Sequence, residues 1–224
     1  MFRTSSSARA SVLTATLLIA VASSSQAQIY GPRHRAELTP FGSYQTGGTF
    51  DTDAIANIAS GKLTENSSFS WGAILSFITS PSSAAELWYL RQDTEVDFNS
   101  DLPSVATRKA GDFANNYIQL GFRQDLPVGT GFKPFISGSL GMNILQPKGS
   151  DLDSSTRFSW TLGGGARYMM PEGRFGIRLD ARWMVTPVPS GEYGTWCGYY
   201  GCYAAEGTSW LHQGSFGGGL IVAF

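Results

Sequence analysis

The ten residues FGIRLDARWM at positions 175–184 decide the fold of this chain. The odd positions are all apolar, whereas the even positions carry three charged side chains, Arg178, Asp180 and Arg182. Successive side chains of a β-strand point to opposite faces, and a helix would scatter both sets around its circumference. The segment therefore predicts a strand with one apolar face and one charged face.

Seven further segments alternate in the same way. Five are clear and two are weaker: 68–77, 117–123, 136–144, 158–168 and 215–224, then 36–45 and 85–92. The connections at one end are long or medium and those at the other are short: 46–67, 93–114, 146–155 and 186–209 against 78–84, 125–132 and 169–174. Such segregation is typical of a transmembrane β-barrel. The sequence predicts an all-β fold, an eight-stranded antiparallel up-and-down transmembrane β-barrel, with both termini on the periplasmic side.

Composition excludes two other classes of protein. Only 15% of the 224 residues are charged, against about 25% in an average soluble domain. The mean hydropathy of −0.08 is too low for a bundle of membrane helices. The formal net charge of −1 does not fit a strongly basic nucleic-acid binder, so we expect no nucleic-acid partner.

The first 27 residues have the pattern of an export signal. Two arginines precede an apolar run, Val12–Ala22, and Ser25-Gln26-Ala27 places small residues at −3 and −1 of a cleavage site. A buried helix or a membrane anchor is the alternative, but the run is short for a span. We therefore predict a cleaved signal peptide at 1–27 and a barrel domain at 28–224.

The charged face of the strands predicts the content of the barrel. Eight strands enclose room only for side chains, and a lone desolvated charge is costly, so charges in this lumen must pair. The apolar face therefore points to lipid and the ionic face points inward. We expect Glu86 to pair with one or more of four arginines. The predicted lumen ionic network is Glu37, Glu86, Arg123, Arg167, Arg178, Asp180 and Arg182.

The only two cysteines, Cys197 and Cys202, lie in the longest predicted loop, 186–209. An exported chain meets an oxidising compartment, so a disulfide is the expected state. A metal site and a free thiol pair are the alternatives, and the absence of a nearby histidine disfavours the metal. We expect no metal and no cofactor. The same loop is rich in aromatic residues, which indicate either a partner-binding tip or an interfacial girdle: Tyr193, Trp196, Tyr199, Tyr200 and Tyr203.

Four short pieces resemble small outer-membrane barrels of the OmpA/OmpX-like porin family: Glu37–Phe41, Glu86–Gln92, Lys133–Phe135 and Gly176–Arg182. The end of the chain resembles the C-terminal strand signal that the outer-membrane assembly machinery reads in that family, with Phe216, Leu220, Val222 and Phe224 in register. The resemblance implies location in the bacterial outer membrane. It also implies two kinds of contact, one with outer-membrane lipid and lipopolysaccharide and one with the assembly machinery.

Three functional classes stay open on the sequence. The first, which we expect, is a structural or interaction barrel with a salt-bridge-plugged lumen, surface-exposed loops and a candidate extracellular partner at 186–209. The second is a narrow porin for small solutes. The third is an outer-membrane lipid-modifying enzyme, but no nucleophile and base stand at a recognisable spacing, so we predict no catalytic residue and no enzyme.

Overall fold

A computed structural model describes residues 35–53, 61–100, 107–127, 131–148, 154–171, 173–189, 195–198, 201–205 and 208–224. Within these ranges, no helix is long and apolar enough to cross a membrane. The predicted signal peptide at 1–27 lies outside the described residues and stays a prediction.

The described residues form twelve strands: β1 Ala36–Gln45, β2 Thr49–Asp53, β3 Gly61–Glu65, β4 Ser68–Ser80, β5 Ser83–Ser100, β6 Arg108–Asp125, β7 Phe132–Lys148, β8 Ser155–Met169, β9 Phe175–Pro189, β10 Thr195–Gly198, β11 Gly201–Ala205 and β12 Thr208–Ala223. Eight of them pair antiparallel in the order β5-β4-β1-β12-β9-β8-β7-β6. Strand β6 also pairs with β5, which closes the sheet on itself. The predicted eight-stranded antiparallel barrel is confirmed.

The alternation in sequence becomes an alternation between the outside and the inside of the barrel. On β9, Leu179 is 60% exposed on the outer face, whereas its neighbour Arg178 is 1% exposed inside. The outer face carries exposed Phe, Leu and Trp side chains on the other strands too, such as Trp71, Leu140 and Phe216. An outer surface this apolar suits lipid rather than water, and closure leaves every barrel strand paired on both sides.

The predicted long loops are shorter in the structure than in the sequence analysis. Strand β5 ends at Ser100 and strand β6 begins at Arg108, so the predicted loop 93–114 is reduced to 101–107. The predicted loops 46–67 and 186–209 contain β2 and β3, and β10 and β11. Their sequences lack the apolar alternation of the eight barrel strands, yet their backbone pairing continues the sheet.

The four short strands extend the sheet beyond the rim of the barrel, from the end of β5. Strand β3 pairs with β5 at Glu65↔Val96, and β2 pairs with β3. Strand β11 in turn pairs with β2 at Ala205↔Thr52, and β10 pairs with β11. This extension lies at the end of the barrel with the longer connections, which we call the long-connection end.

The opposite end, which we call the short-turn end, contains the short turns 81–82, 126–131 and 170–174. The start of β1 and the end of β12 also lie there. Phe224 N donates to Ala36 O at 2.9 Å and Ala36 N donates to Phe224 O at 3.1 Å, so the ends of the barrel strands meet here. Gly131 and Gly173 have φ of 96° and 72° in two of these turns, a conformation that glycine adopts without strain. The predicted segregation of loop lengths is therefore present only in part. Two connections at the long-connection end carry β2 and β3 or β10 and β11, whereas the other two, 101–107 and 149–154, are about as short as 126–131.

The two cysteines face one another in backbone register, because β10 and β11 pair Cys197 with Cys202. Opposed residues of an antiparallel pair have Cα atoms about 4.5–5.5 Å apart, within the range of roughly 4.4–6.8 Å that a disulfide needs. Their side chains lie outside the described residues, so the disulfide stays a prediction.

Oxidised Cys197 and Cys202 are expected in protein isolated without reductant, and the bond is expected to be dispensable for the barrel. The two residues lie in the sheet extension, so their loss should loosen that tip and leave the eight-strand pairing intact. Mass spectrometry should find a peptide about 2 Da lighter than the dithiol. The C197S/C202S variant should keep the heat-modifiable gel mobility of a folded barrel, and two free thiols in the wild type would contradict the prediction.

The lumen as candidate functional site

All seven residues predicted for the lumen ionic network lie inside the barrel and are buried. They come from five strands, β1, β5, β6, β8 and β9. Each strand places these network residues on the inward phase of the alternation, at the half of the lumen nearer the short-turn end. The structure therefore brings together residues up to 145 positions apart in sequence, from Glu37 to Arg182.

Glu86 is the centre of this network. Its Oε1 and Oε2 accept hydrogen bonds from Arg178 Nη1 at 2.5 Å and Nη2 at 3.1 Å, a bidentate pair. Arg123 Nη1 donates to the same Oε1 at 3.1 Å, and Ser76 Oγ donates at 3.2 Å. Both guanidinium groups are 1% exposed, so this carboxylate holds two arginines with almost no help from water.

Glu37 organises the part of the network nearest the short-turn end. Arg167 donates to both of its oxygens at 2.9 Å, and Arg123 Nη1 donates to its Oε2 at 3.3 Å. Arg123 Nε also pairs with Asp125 Oδ1 at 3.1 Å. Asp125 is missing from the sequence prediction, although it stands two residues after Arg123 and therefore on the same face of β6.

Asp180 connects Arg178 and Arg182 along β9. Arg178 Nε lies 2.7 Å from Asp180 Oδ2, and Arg182 Nη2 lies 2.9 Å from Oδ1. With Asp125 included, the network holds four carboxylates and four guanidinium groups, so its formal charge is zero. A buried network of this kind is stable only when every member is paired, and each of the eight has a partner.

An apolar layer covers the network on the side away from the short turns. It consists of six buried side chains on the inward phase of the strands: Phe41, Ile74, Trp88, Leu90, Tyr117 and Met184. The two layers touch, because the guanidinium of Arg182 lies 4.6 Å from the centre of the Trp88 ring. The Trp88 and Tyr117 rings stack with centroids 6.4 Å apart. The sequence predicts an ionic inward face and does not indicate this apolar layer.

A polar layer follows at the level of Tyr117. Its members are buried amides, hydroxyls and one carboxylate: Gln45, Glu65, Gln92, Asn115, Asn143, Thr186 and Gln213. The Tyr117 hydroxyl donates to Gln213 Oε1, which connects the apolar and polar layers. Glu65 escaped the sequence prediction because it lies at the end of β3, inside the predicted loop 46–67.

Two cavities border the network. One of about 410 Å³ opens at the short-turn end and is lined by Lys133, Arg167, Pro81 and Pro171, with Glu37 and Arg123 also in its wall. The other, of about 10 Å³, lies beside Glu86, Trp88 and Arg182 and has room for about one water molecule. Within the described residues, no three His, Cys, Asp or Glu side chains are grouped as a metal site would require.

The residues predicted as an assembly signal share the outer face of β12. All four side chains are exposed, and any two of them are separated by an even number of positions: Phe216, Leu220 and Val222 in β12, and Phe224 directly after it. Strand β12 pairs with β1 on one side and β9 on the other. It therefore closes the barrel, and its apolar stripe faces outward rather than into the lumen.

The closed barrel with its apolar outer face matches a known protein family. The family model for the outer membrane protein beta-barrel domain matches residues 13–199. The chain belongs to this family. Its location in the bacterial outer membrane, predicted from the sequence, is confirmed with it. The finer OmpA-like grouping stays a prediction.

Two solved structures, those of AlkL and OprG, show the same fold at low sequence identity. Outer membrane protein AlkL is 11% identical with a TM-score of 0.58, over 88% of this chain and 94% of that one. Outer membrane protein OprG from Pseudomonas aeruginosa is 14% identical with a TM-score of 0.54, over 84% and 95%. Outer membrane protease OmpT from Escherichia coli is 6% identical with a TM-score of 0.46, over 88% and 99%. A search of curated proteins gives no match.

Proposed function

We propose that this protein is a structural and interaction barrel of the outer membrane, with a lumen plugged by side chains. The observation that carries the proposal is the bidentate Glu86–Arg178 pair and its contact with Arg123, which join β5, β6 and β9 across the interior. A solute would have to separate these buried pairs, and breaking a buried pair by removing one partner costs about 3–5 kcal/mol. The apolar layer above the network adds a second barrier.

The outside of the barrel supports the interaction part of the proposal. In this arrangement, the outer apolar face contacts outer-membrane lipid, and the long-connection end faces the cell exterior beside lipopolysaccharide. The sheet extension of β2, β3, β10 and β11 would then present the segment 186–209 to an extracellular partner. The stripe on β12 would be read by the assembly machinery before insertion.

Planar-bilayer recording is the experiment that tests the plug. Wild-type protein is expected to give no steady conductance, because the ionic and apolar layers fill the lumen. The double variant E86A/R178A removes a carboxylate and its guanidinium together, so the network keeps a formal charge of zero and the space widens. We expect its conductance to exceed that of the wild type.

Insertion of both proteins is verified by the heat-modifiable gel mobility of the protein recovered from the membrane. The E95A variant, which removes an exposed carboxylate bonded to Lys109, is the matched control and should stay closed. Steady conductance in the wild type would contradict the plugged lumen and favour the narrow-pore alternative.

A further inference from the structure

Glu65 is a buried carboxylate with no counter-charge in the described part of the chain. It is 4% exposed and takes part in none of the salt bridges among the described residues. The neighbouring ionic network cannot supply a cation, because its four arginines are already matched by four carboxylates. A buried charge without a partner is strongly unfavourable, so something else must neutralise this group.

The contacts of Glu65 are two neutral amides. Asn115 Nδ2 donates to Oε1, and Gln213 Nε2 donates to Oε2 at 3.0 Å. The same two nitrogens also approach Gln92 Oε1, each at 3.3 Å. A carboxylate offers about four acceptor sites, and these bonds use two of them. Both oxygens of Glu65 therefore keep lone pairs that no side chain of the described residues fills.

Unsatisfied polar atoms lie in the same layer. Its buried oxygens without a hydrogen-bond partner are Asn115 Oδ1, Gln45 Oε1, Asn143 Oδ1 and Thr186 Oγ1, and the amide nitrogens of Gln45, Gln92 and Asn143 also lack one. Three of these side chains, Gln45, Asn143 and Thr186, lie close to the Tyr117 hydroxyl that bonds Gln213. Buried polar atoms are almost always satisfied by protein or by ordered water, so this layer needs ordered water. Asn115 also places an unused oxygen beside the carboxylate to which its nitrogen donates.

The backbone fixes Glu65 in this position. Glu65 N donates to Gly48 O at 2.8 Å, where the chain crosses from β1 to β2. A Cβ at Gly47 would collide with the carbonyl oxygen of Glu65, so only glycine permits this close crossing. The carboxylate is thus held inside the lumen by an ordered element.

We propose that Glu65, with the unused amide oxygen of Asn115 beside it, binds one monovalent hard cation, Na⁺ or K⁺, together with ordered water. The donors are all oxygen, which excludes a preference for soft metals. There is one carboxylate, whereas protein sites for calcium commonly supply several, and a single positive charge brings the layer to zero. The site is separate from the ionic plug, so it can be present whether or not the lumen conducts.

Thermal unfolding of the refolded protein in lipid vesicles tests the site. The unfolding midpoint is measured while NaCl or KCl replaces tetramethylammonium chloride at constant ionic strength, because the methyl groups of that cation prevent oxygen ligands from coordinating its charge directly. The wild type is expected to gain a saturable increase in midpoint with Na⁺ or K⁺, since a ligand that binds only the folded state stabilises it. The E65Q variant should lose this dependence, and the exposed-carboxylate control E95Q should keep it.

Two results would overturn the proposal. A wild type whose midpoint does not distinguish Na⁺ and K⁺ from tetramethylammonium has no such site, and this holds even if E65Q fails to fold. A wild-type midpoint that depends on pH through Glu65 but on no alkali cation would show that a proton neutralises the carboxylate. Conductance is not the readout, so failure here is distinguishable from failure of the plugged-lumen proposal.

Discussion

Replacing Glu86 by alanine is expected to lower the free energy of unfolding by about 3–5 kcal/mol, the range for breaking a buried ion pair. The variant leaves Arg178 and Arg123, each 1% exposed, without the carboxylate that both of them contact. Arg178 would keep Asp180, and Arg123 would keep Glu37 at 3.3 Å and Asp125 at 3.1 Å. Urea unfolding in lipid vesicles measures the loss directly.

The E86M/R178M variant distinguishes a lost charge pair from lost packing. Replacing both members by apolar residues of similar length should cost less than E86A alone, because Arg178 is removed together with its carboxylate. Arg123 loses Glu86 in both variants and keeps Glu37 and Asp125. The coupling between the two positions follows from the double-mutant cycle. The control E95A removes an exposed carboxylate and should change stability by less than about 1 kcal/mol. A neutral E86A would contradict both the buried network and the plug that rests on it.

The barrel and the inward charges were predictable because lipid imposes a simple rule on each strand. On the lipid-facing side of a strand every second residue must be apolar. The sequence of a segment such as 175–184 therefore shows which residues belong to each face. The pairing partners were less predictable. Glu86 was expected to bond one or more of four arginines, but the choice of Arg178 and Arg123 depends on the stagger between strands, which the alternation does not contain.

The omissions have physical reasons too. Asp125 sits next to a short turn, so it reads as turn composition although its phase matches Arg123. Trp88 and Tyr117 are aromatic residues on the inward phase, which the charged segments mark as the ionic face. Only the packed lumen shows that an apolar layer fills this part of the narrow barrel. Glu65 lies beyond the lipid-facing band, where no alternation marks the strand.

Replacing Phe224 by glutamate is expected to reduce the amount of protein in the outer membrane of cells while leaving folding in detergent nearly intact. The side chain is 62% exposed on the outer face, so its loss removes no lumen contact. The two backbone hydrogen bonds with Ala36 do not depend on the side chain and remain in the variant. A charge near the membrane interface costs only about 0–1 kcal/mol in a barrel, which is too little to unfold it.

The effect in cells should instead come from recognition of the apolar stripe on β12. The matched control is F132E, because Phe132 is similarly exposed, at 55%, but opens β7 and does not belong to the last strand. Outer-membrane levels are compared by immunoblot, and heat-modifiable mobility of refolded protein is measured in parallel. F224E should show a large loss in cells with a normal shift in vitro, whereas F132E should show little loss in cells. Equal levels of F224E and wild type would refute the assembly signal, and equal losses for both variants would trace the defect to a charge on the lipid face.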